Sequence, residues 1–140
     1  MHYLLDTNIC IYLIKKRPKQ VLQQFARHSP KDVAISSVTL FELEHGAQKS
    51  RLQDRAANAL KKFLLPLTVV DFDKEAASKA ASLRAHLTKK GTPIGGYDLL
   101  IAGVALARGM CLVTSNIGEF EKIEELQVES WVSSQEELRH

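Results

Sequence analysis

Five short apolar runs punctuate this chain, and between them lie stretches whose apolar residues recur at helical spacing. The runs are Tyr3-Leu4-Leu5, Val33-Ala34-Ile35, Thr68-Val69-Val70, Met110-Cys111-Leu112-Val113-Thr114 and a shorter one from Val128 to Trp131. Each suits a strand buried on both faces and is too short for a helix. Strands that alternate with helices need long crossover connections, which parallel sheets have and hairpins lack. The expected fold is therefore α/β, a doubly wound parallel sheet of four to five strands with helices on both faces and right-handed crossovers.

Helix signals fill the gaps between the runs. Thr7 or Asn8 can cap a helix carrying Ile9, Cys10, Leu13 and Ile14. Pro18 suits the first turn of a second helix, with Val21, Leu22, Phe25 and Ala26 on one face. A third runs from about Val38 through Phe41, Glu42 and His45, with Gly46 expected to loosen it. Leu52, Ala56, Ala59, Leu60, Phe63 and Leu64 make an amphipathic stripe that Pro66 stops. Asp73 caps a helix whose buried stripe is read as Ala76, Ala77, Ala80, Leu83, the Arg84 stem and Leu87, ended by Gly91. A Gly- and Pro-rich loop then leads to Tyr97-Asp98 and an apolar helix from Leu99 to Leu106, closed by Gly109. No repeat or linker divides the chain, so we expect one domain over residues 1–132 and a polar, mobile tail over 133–140.

Composition narrows the class. With 45% apolar and 25% charged residues the chain reads as a soluble globular protein, and its length of 140 supports a single core. The net charge, 19 − 16 = +3, permits an anionic partner without requiring one. Cys10 and Cys111 lie inside apolar runs, with no CxxC or Cys/His cluster, and are expected as buried reduced thiols. Nothing resembles a signal peptide, and no apolar stretch approaches the roughly 20 residues of a membrane span, so the expected location is cytoplasmic with no membrane partner.

Three acids fall where such a fold binds its ligands, beyond the carboxyl ends of the strands. Asp6 ends the first run, Glu42 lies in the helix after the second, and Asp98 opens the helix before the fourth. Singly, each has an ordinary explanation: Asp6 as a helix cap, Glu42 as the far half of a capping box begun by Thr39, Asp98 as a first-turn acid favoured by the helix dipole. Together they are less ordinary, because clustered carboxylates raise one another's pKa unless a proton or a cation compensates. Hard oxygen ligands without cysteine point to Mg²⁺ or Mn²⁺ rather than zinc. A cation held this way suits phosphodiester hydrolysis.

Four segments also carry a resemblance. They are Leu5-Asp6-Thr7-Asn8, the stretch from Ser37 to Gly46 with Phe41-Glu42-Leu43-Glu44, Pro93-Ile94-Gly95-Gly96-Tyr97-Asp98-Leu99 through Ala102, and Leu112-Val113-Thr114-Ser115-Asn116 through Glu119-Phe120. In order, and over about residues 2–132, these resemble the PIN-domain ribonucleases, more closely the VapC toxins of bacterial type II toxin–antitoxin modules. The resemblance implies a PIN-like sheet and a Mg²⁺- or Mn²⁺-dependent endoribonuclease that forms a homodimer in the bacterial cytoplasm. It also implies a VapB-type antitoxin that inhibits the enzyme and assembles with it on DNA. The implied substrate is RNA, a tRNA cut in its anticodon loop, with the initiator tRNA one such target. Asp6, Glu42 and Asp98 match the family's metal-binding acids, Glu119 offers a further acid, and Thr7 and Thr114 match hydroxyls that line the pocket. In that scheme Asp6 and Asp98 hold the metal, Glu42 orients or deprotonates water, and Asn116 and Glu119 complete the shell. Asn116 stands where many PIN domains carry aspartate, which leaves one metal or two open.

Other readings meet specific obstacles. An aspartyl phosphatase needs a second aspartate where Asn8 stands, and a receiver domain needs a lysine after the fourth strand, where Thr114-Ser115-Asn116 offers none. A catalytically degenerate PIN domain, binding RNA or the antitoxin without cleavage, is the alternative that Asn116 favours. Lys15, Lys16, Arg17, Lys49, Arg51, Lys89 and Lys90 are candidates to hold an RNA backbone. Tyr97 is a candidate for base stacking, whereas Trp131 is expected in the core.

Overall fold

The computed structural model describes residues 2–132. Its five strands are β1 (Tyr3–Leu5), β2 (Val33–Ser36), β3 (Thr68–Val70), β4 (Cys111–Val113) and β5 (Val128–Glu129). All pair in parallel, in the order β3-β2-β1-β4-β5. The helices are α1 (Thr7–Lys15), α2 (Lys19–Ala26), α3 (Ser37–Lys49), α4 (Gln53–Leu64), α5 (Lys74–Lys89), α6 (Gly96–Arg108) and the single turn α7 (Ile117–Phe120). A short 3-10 turn, Pro30–Asp32, leads into β2. The expected tail over 133–140 lies outside the described residues.

The central strand shows why the sheet is buried on both sides. Adjacent residues of a strand face opposite ways. Leu4 joins the core beneath α5 and α6, with Ala34, Leu83, Ile101 and Leu112. Leu5 joins the core beneath α1 to α4, with Ile9, Val33, Ile35, Leu60 and Trp131. From β1 the chain builds outward through β2 and β3, then returns to lay β4 and β5 on the other side. The strand order therefore reverses between β1 and β4. At such a switch point the connecting segments diverge and leave a crevice beyond the carboxyl ends of the strands. Asp6 follows β1 there, and Thr114 follows β4.

Local details depart from the sequence expectations at several points. The cap of α1 is Asp6, not Thr7 or Asn8: the Ile9 amide donates to Asp6 Oδ1 at 2.9 Å, so the helix starts one residue earlier. Gly46 does not loosen α3, which runs on to Lys49. One glycine costs a helix only about 1 kcal/mol, and Leu43 and Ala47 keep that stretch packed. In α5 the buried positions are Ala76, Ala80, Leu83 and Leu87, while Ala77 and Arg84 are exposed. The stripe is narrow because α6 approaches closely at Gly103. A Cβ there would lie 2.8 Å from the Ala76 carbonyl oxygen and 2.9 Å from the Ala80 Cβ. Trp131 is core: it stacks on His28 with ring centroids 5.3 Å apart, and its Nε1–H donates to Glu129 Oε2 at 2.7 Å. Cys10 and Cys111 are free, buried thiols.

Candidate metal and phosphodiester site

Asp6 is fixed from two directions. Its backbone amide donates to the Val113 carbonyl at 2.9 Å, which ties the end of β1 to β4. Its side chain caps α1, and only 4% of the residue is exposed. Burial pushes its pKa from 3.8 up to about 6. The Thr114 side chain and the Ile9 amide act against that shift, and the negative charges of Asp98 and Glu42 add to it.

Glu42 is positioned by hydroxyl groups. Ser36 caps α3 by accepting from the Thr39 amide at 3.0 Å, so the capping-box pairing of Thr39 with Glu42 does not form. Glu42 instead lies in the second turn, where its Oε1 accepts from Thr7 Oγ1 at 2.6 Å. An ionised carboxylate only accepts hydrogen bonds, and a hydroxyl has one proton to give, so the rest of the chain follows. Thr39 Oγ1 donates to Thr7 Oγ1 at 3.1 Å, and Ser36 Oγ donates to Thr39 Oγ1 at 3.3 Å. Ser36 and Thr39 are completely buried. The signal for this run is that Ser36, Thr39 and Glu42 recur every three residues along one helix face.

The opposite wall comes from α6 and α7. Asp98 lies in the first turn of α6, half-buried, and its Oδ2 lies 3.8 Å from where a Cβ on Gly95 would stand. Burial raises its pKa, followed by the negative charges of Glu119 and Glu42. Among the described residues, nothing donates a hydrogen bond to its carboxylate. Glu119 accepts from the Gly95 amide at 3.0 Å and pairs with Lys122 at 3.7 Å. Asn116 is exposed, and its backbone amide donates to Thr114 Oγ1 at 2.9 Å.

The four candidate acids thus share one crevice, linked by mutual repulsion from Asp6 and Glu42 through Asp98 to Glu119. Thr7 donates to Glu42, the Thr114 side chain bonds Asp6, and Asn116 is exposed. Among the described residues no lysine, arginine or histidine pairs with Asp6, Glu42 or Asp98. The candidate RNA-binding basic residues are exposed, and of these Lys15 lines a groove shared with Glu42.

This donor set fits a hard divalent cation. Among the described residues no three Asp, Glu, His or Cys groups converge tightly enough to enclose a metal by themselves. A zinc site would need that enclosure, whereas a Mg²⁺-like ion keeps several waters and takes one or two carboxylates. A buried Asp6 facing two like charges with no protein counter-charge is the environment such an ion would relieve.

Fold and crevice together define a parallel α/β domain whose carboxylates suit a divalent cation. A PIN domain family model matches residues 3–126. The tRNA(fMet)-specific endonuclease VapC of Salmonella typhimurium is 41% identical over 131 residues, covering 94% of this chain and 98% of that protein. Ribonuclease VapC2 of Haemophilus influenzae is 39% identical over 132 residues, covering 94% and 99%. Among solved structures, DNA-bound VapBC from Salmonella typhimurium superposes with a TM-score of 0.89 at 41% identity, covering 94% of this chain and 99% of that one. VapBC2 from Rickettsia felis, bound to a promoter fragment, also gives 0.89, at 39% identity and 94% and 100% coverage. The chain belongs to the PIN-domain family, among its VapC ribonucleases. Nucleases of this family generally depend on a divalent metal, in keeping with the acids assembled here.

Proposed function

We propose that this chain is the toxin of a VapBC-type toxin–antitoxin module, a Mg²⁺- or Mn²⁺-dependent endoribonuclease that blocks translation by cutting tRNA in its anticodon loop. The observation that carries this reading is the gathering of Asp6, Glu42 and Asp98 beyond the carboxyl end of β1 without a protein counter-charge. The relative named for tRNA(fMet) makes the initiator tRNA the first substrate to try.

Each residue takes a role from its surroundings. Asp6 and Asp98 would hold the cation. The Thr114 side chain favours the charged form of Asp6, offsetting part of the cost of burial. Glu42, held by the Thr7 hydroxyl, orients the attacking water and accepts its proton. Glu119 adds negative charge beside Asp98 and braces the loop at Gly95, and Asn116 offers a neutral oxygen at the rim. A divalent cation bound there lowers the pKa of water and stabilises charge on the phosphate and the leaving 3′ oxygen. The VapBC assemblies among the structural neighbours support a VapB antitoxin as partner and a hetero-oligomer on DNA. A homodimer in the bacterial cytoplasm completes the reading, and no described helix is long and apolar enough to cross a membrane.

The test is incubation of the protein, freed of antitoxin, with total tRNA in Mg²⁺ or Mn²⁺, with EDTA and Asp6→Ala as controls. Cleavage that both controls abolish supports the reading. Intact RNA in both metals identifies a binding module instead, and cleavage undiminished in Asp6→Ala overturns the assignment of the activity to this site.

A further inference from the structure

Beside the acids, the rim of the crevice carries an aromatic cluster that the cleavage chemistry leaves unused. Phe41 is 53% exposed and Tyr97 50%. Each directly precedes an acid of the site, Phe41 before Glu42 in α3 and Tyr97 before Asp98 in α6. The two rings meet across the helices with centroids 5.8 Å apart at 53°. His45, one turn further along α3, stacks on Phe41 at 6.2 Å and 14°. Among the described residues the other large apolar side chains left in water, Leu52 and Leu65, cap opposite ends of α4 and have no such company. Exposed aromatic surface of this extent is thus concentrated where two catalytic candidates emerge.

We infer that Phe41, Tyr97 and His45 form a stacking platform for one or two unpaired nucleobases beside the phosphate that is cut. This rests on the ribonuclease reading above, which supplies the occupant. Without its cation the crevice is acidic and repels an RNA backbone. Stacking on aromatic rings at its rim adds affinity for any base without needing charge. Bases are free to splay onto such a surface only in single strands and loops. The 53° tilt between Phe41 and Tyr97 turns their faces in different directions, which suits two successive unstacked bases rather than a duplex end.

The experiment measures binding in EDTA, so that no cleavage intervenes. A fluorescent short single-stranded RNA, and the same ribose-phosphate backbone made abasic, are titrated with full-length protein and followed by anisotropy. Phe41→Ala and Tyr97→Ala should each weaken binding of the intact RNA by about tenfold, while Tyr97→Phe binds as the parent does. None of the three should change the affinity for the abasic strand. Thermal unfolding of each variant checks that the fold is kept. Unchanged RNA affinity in both alanine variants overturns the platform, as does an equal loss toward intact and abasic strands. Sedimentation decides a further case: alanine variants that shift self-association and leave RNA affinity alone would assign the patch to a second copy of the chain, also overturning the platform. Should the parent protein neither bind nor cut RNA, the ribonuclease reading falls and takes the platform with it. Cleavage by the parent with unchanged KM in the alanine variants removes the platform only.

Discussion

The two walls of the crevice are held in different ways. On the β1 and α3 wall, Asp6 is nearly inaccessible, caps a helix and leans on Thr114, and Glu42 ends a run of three hydroxyls that begins at buried Ser36. On the α6 and α7 wall, the Asp98 carboxylate accepts no hydrogen bond from the described residues, Asn116 faces solvent, and Glu119 is engaged with Gly95 and Lys122. One wall is preorganised and the other compliant. A group that must already be in place when the substrate arrives needs its rotamer locked by neighbours. A group that closes onto a bound cation can be left free. In the proposed site, Asp6 and Glu42 would be groups of the first kind and Asp98 of the second.

The largest expected effect does not respect that difference. Asp6→Ala and Asp98→Ala should each lower the rate of RNA cleavage by at least about a hundredfold, the scale of losing one charge-stabilising group at a reacting centre. Rates measured in Mg²⁺ check this, and an Asp98→Ala enzyme within tenfold of the parent would make the compliant wall dispensable. Stability separates the walls next. The Asp6 carboxyl titrates near pH 6 when folded, against an ordinary value of 3.8. Between those values the folded state holds more protons than the unfolded, so the metal-free protein loses stability as pH rises through that window. Above it, the buried charge costs on the order of 3 kcal/mol. Asn caps helices as well as Asp does, so Asp6→Asn keeps the Ile9 hydrogen bond and removes the charge. In EDTA at pH 7.5 it should be the more stable protein by roughly 2–3 kcal/mol in urea, the two curves converging below about pH 4. Asp98→Asn should gain less, because that side chain is half in water. Equal stability of Asp6→Asn and the parent at every pH would contradict a charge buried without a partner.

How much of this the chain discloses in advance depends on the range of the interaction. Asp6, Glu42 and Asp98 were legible because each stands in a local signal, a strand end or a first or second helical turn, and a parallel sheet brings such ends to one edge. The hydroxyl run was not. Thr7 and Glu42 are 35 residues apart, and they meet only because Leu5 registers with Ile35 across β1 and β2. No periodicity encodes that register. The narrow face of α5 was hidden for a related reason: Ala77 looks as buried as Ala76 until Gly103 of α6 fixes the line of closest approach. Glu119 was visible as an acid, but what claims it, the Gly95 amide, lies 24 residues back in a loop.

The smaller effects probe each wall through residues that touch no substrate. Thr39→Val removes the hydroxyl that donates to Thr7 and so loosens Glu42, with an expected cost of about tenfold in kcat, as for other groups that orient a metal-site ligand. KM should hold, and Thr39→Ser should restore the rate. A Ser variant as slow as Val would mean that Thr39 acts by packing rather than by orienting Glu42. On the compliant wall the matching pair is Glu119→Gln and Glu119→Ala. Gln keeps an oxygen for the Gly95 amide and removes the charge that repels Asp98, whereas Ala removes both. If bracing is its main contribution, Gln should stay within about threefold of the parent and Ala fall further, because a hydrogen bond at an exposed loop contributes only about 1 kcal/mol. Equal losses in the two variants would move Glu119 from brace to source of charge. The Lys122 pair, part-exposed and at 3.7 Å, should matter least. Lys122→Ala is expected to change unfolding free energy by less than about 1 kcal/mol, and a larger loss would show the α7 wall to be held as firmly as the wall built on Asp6.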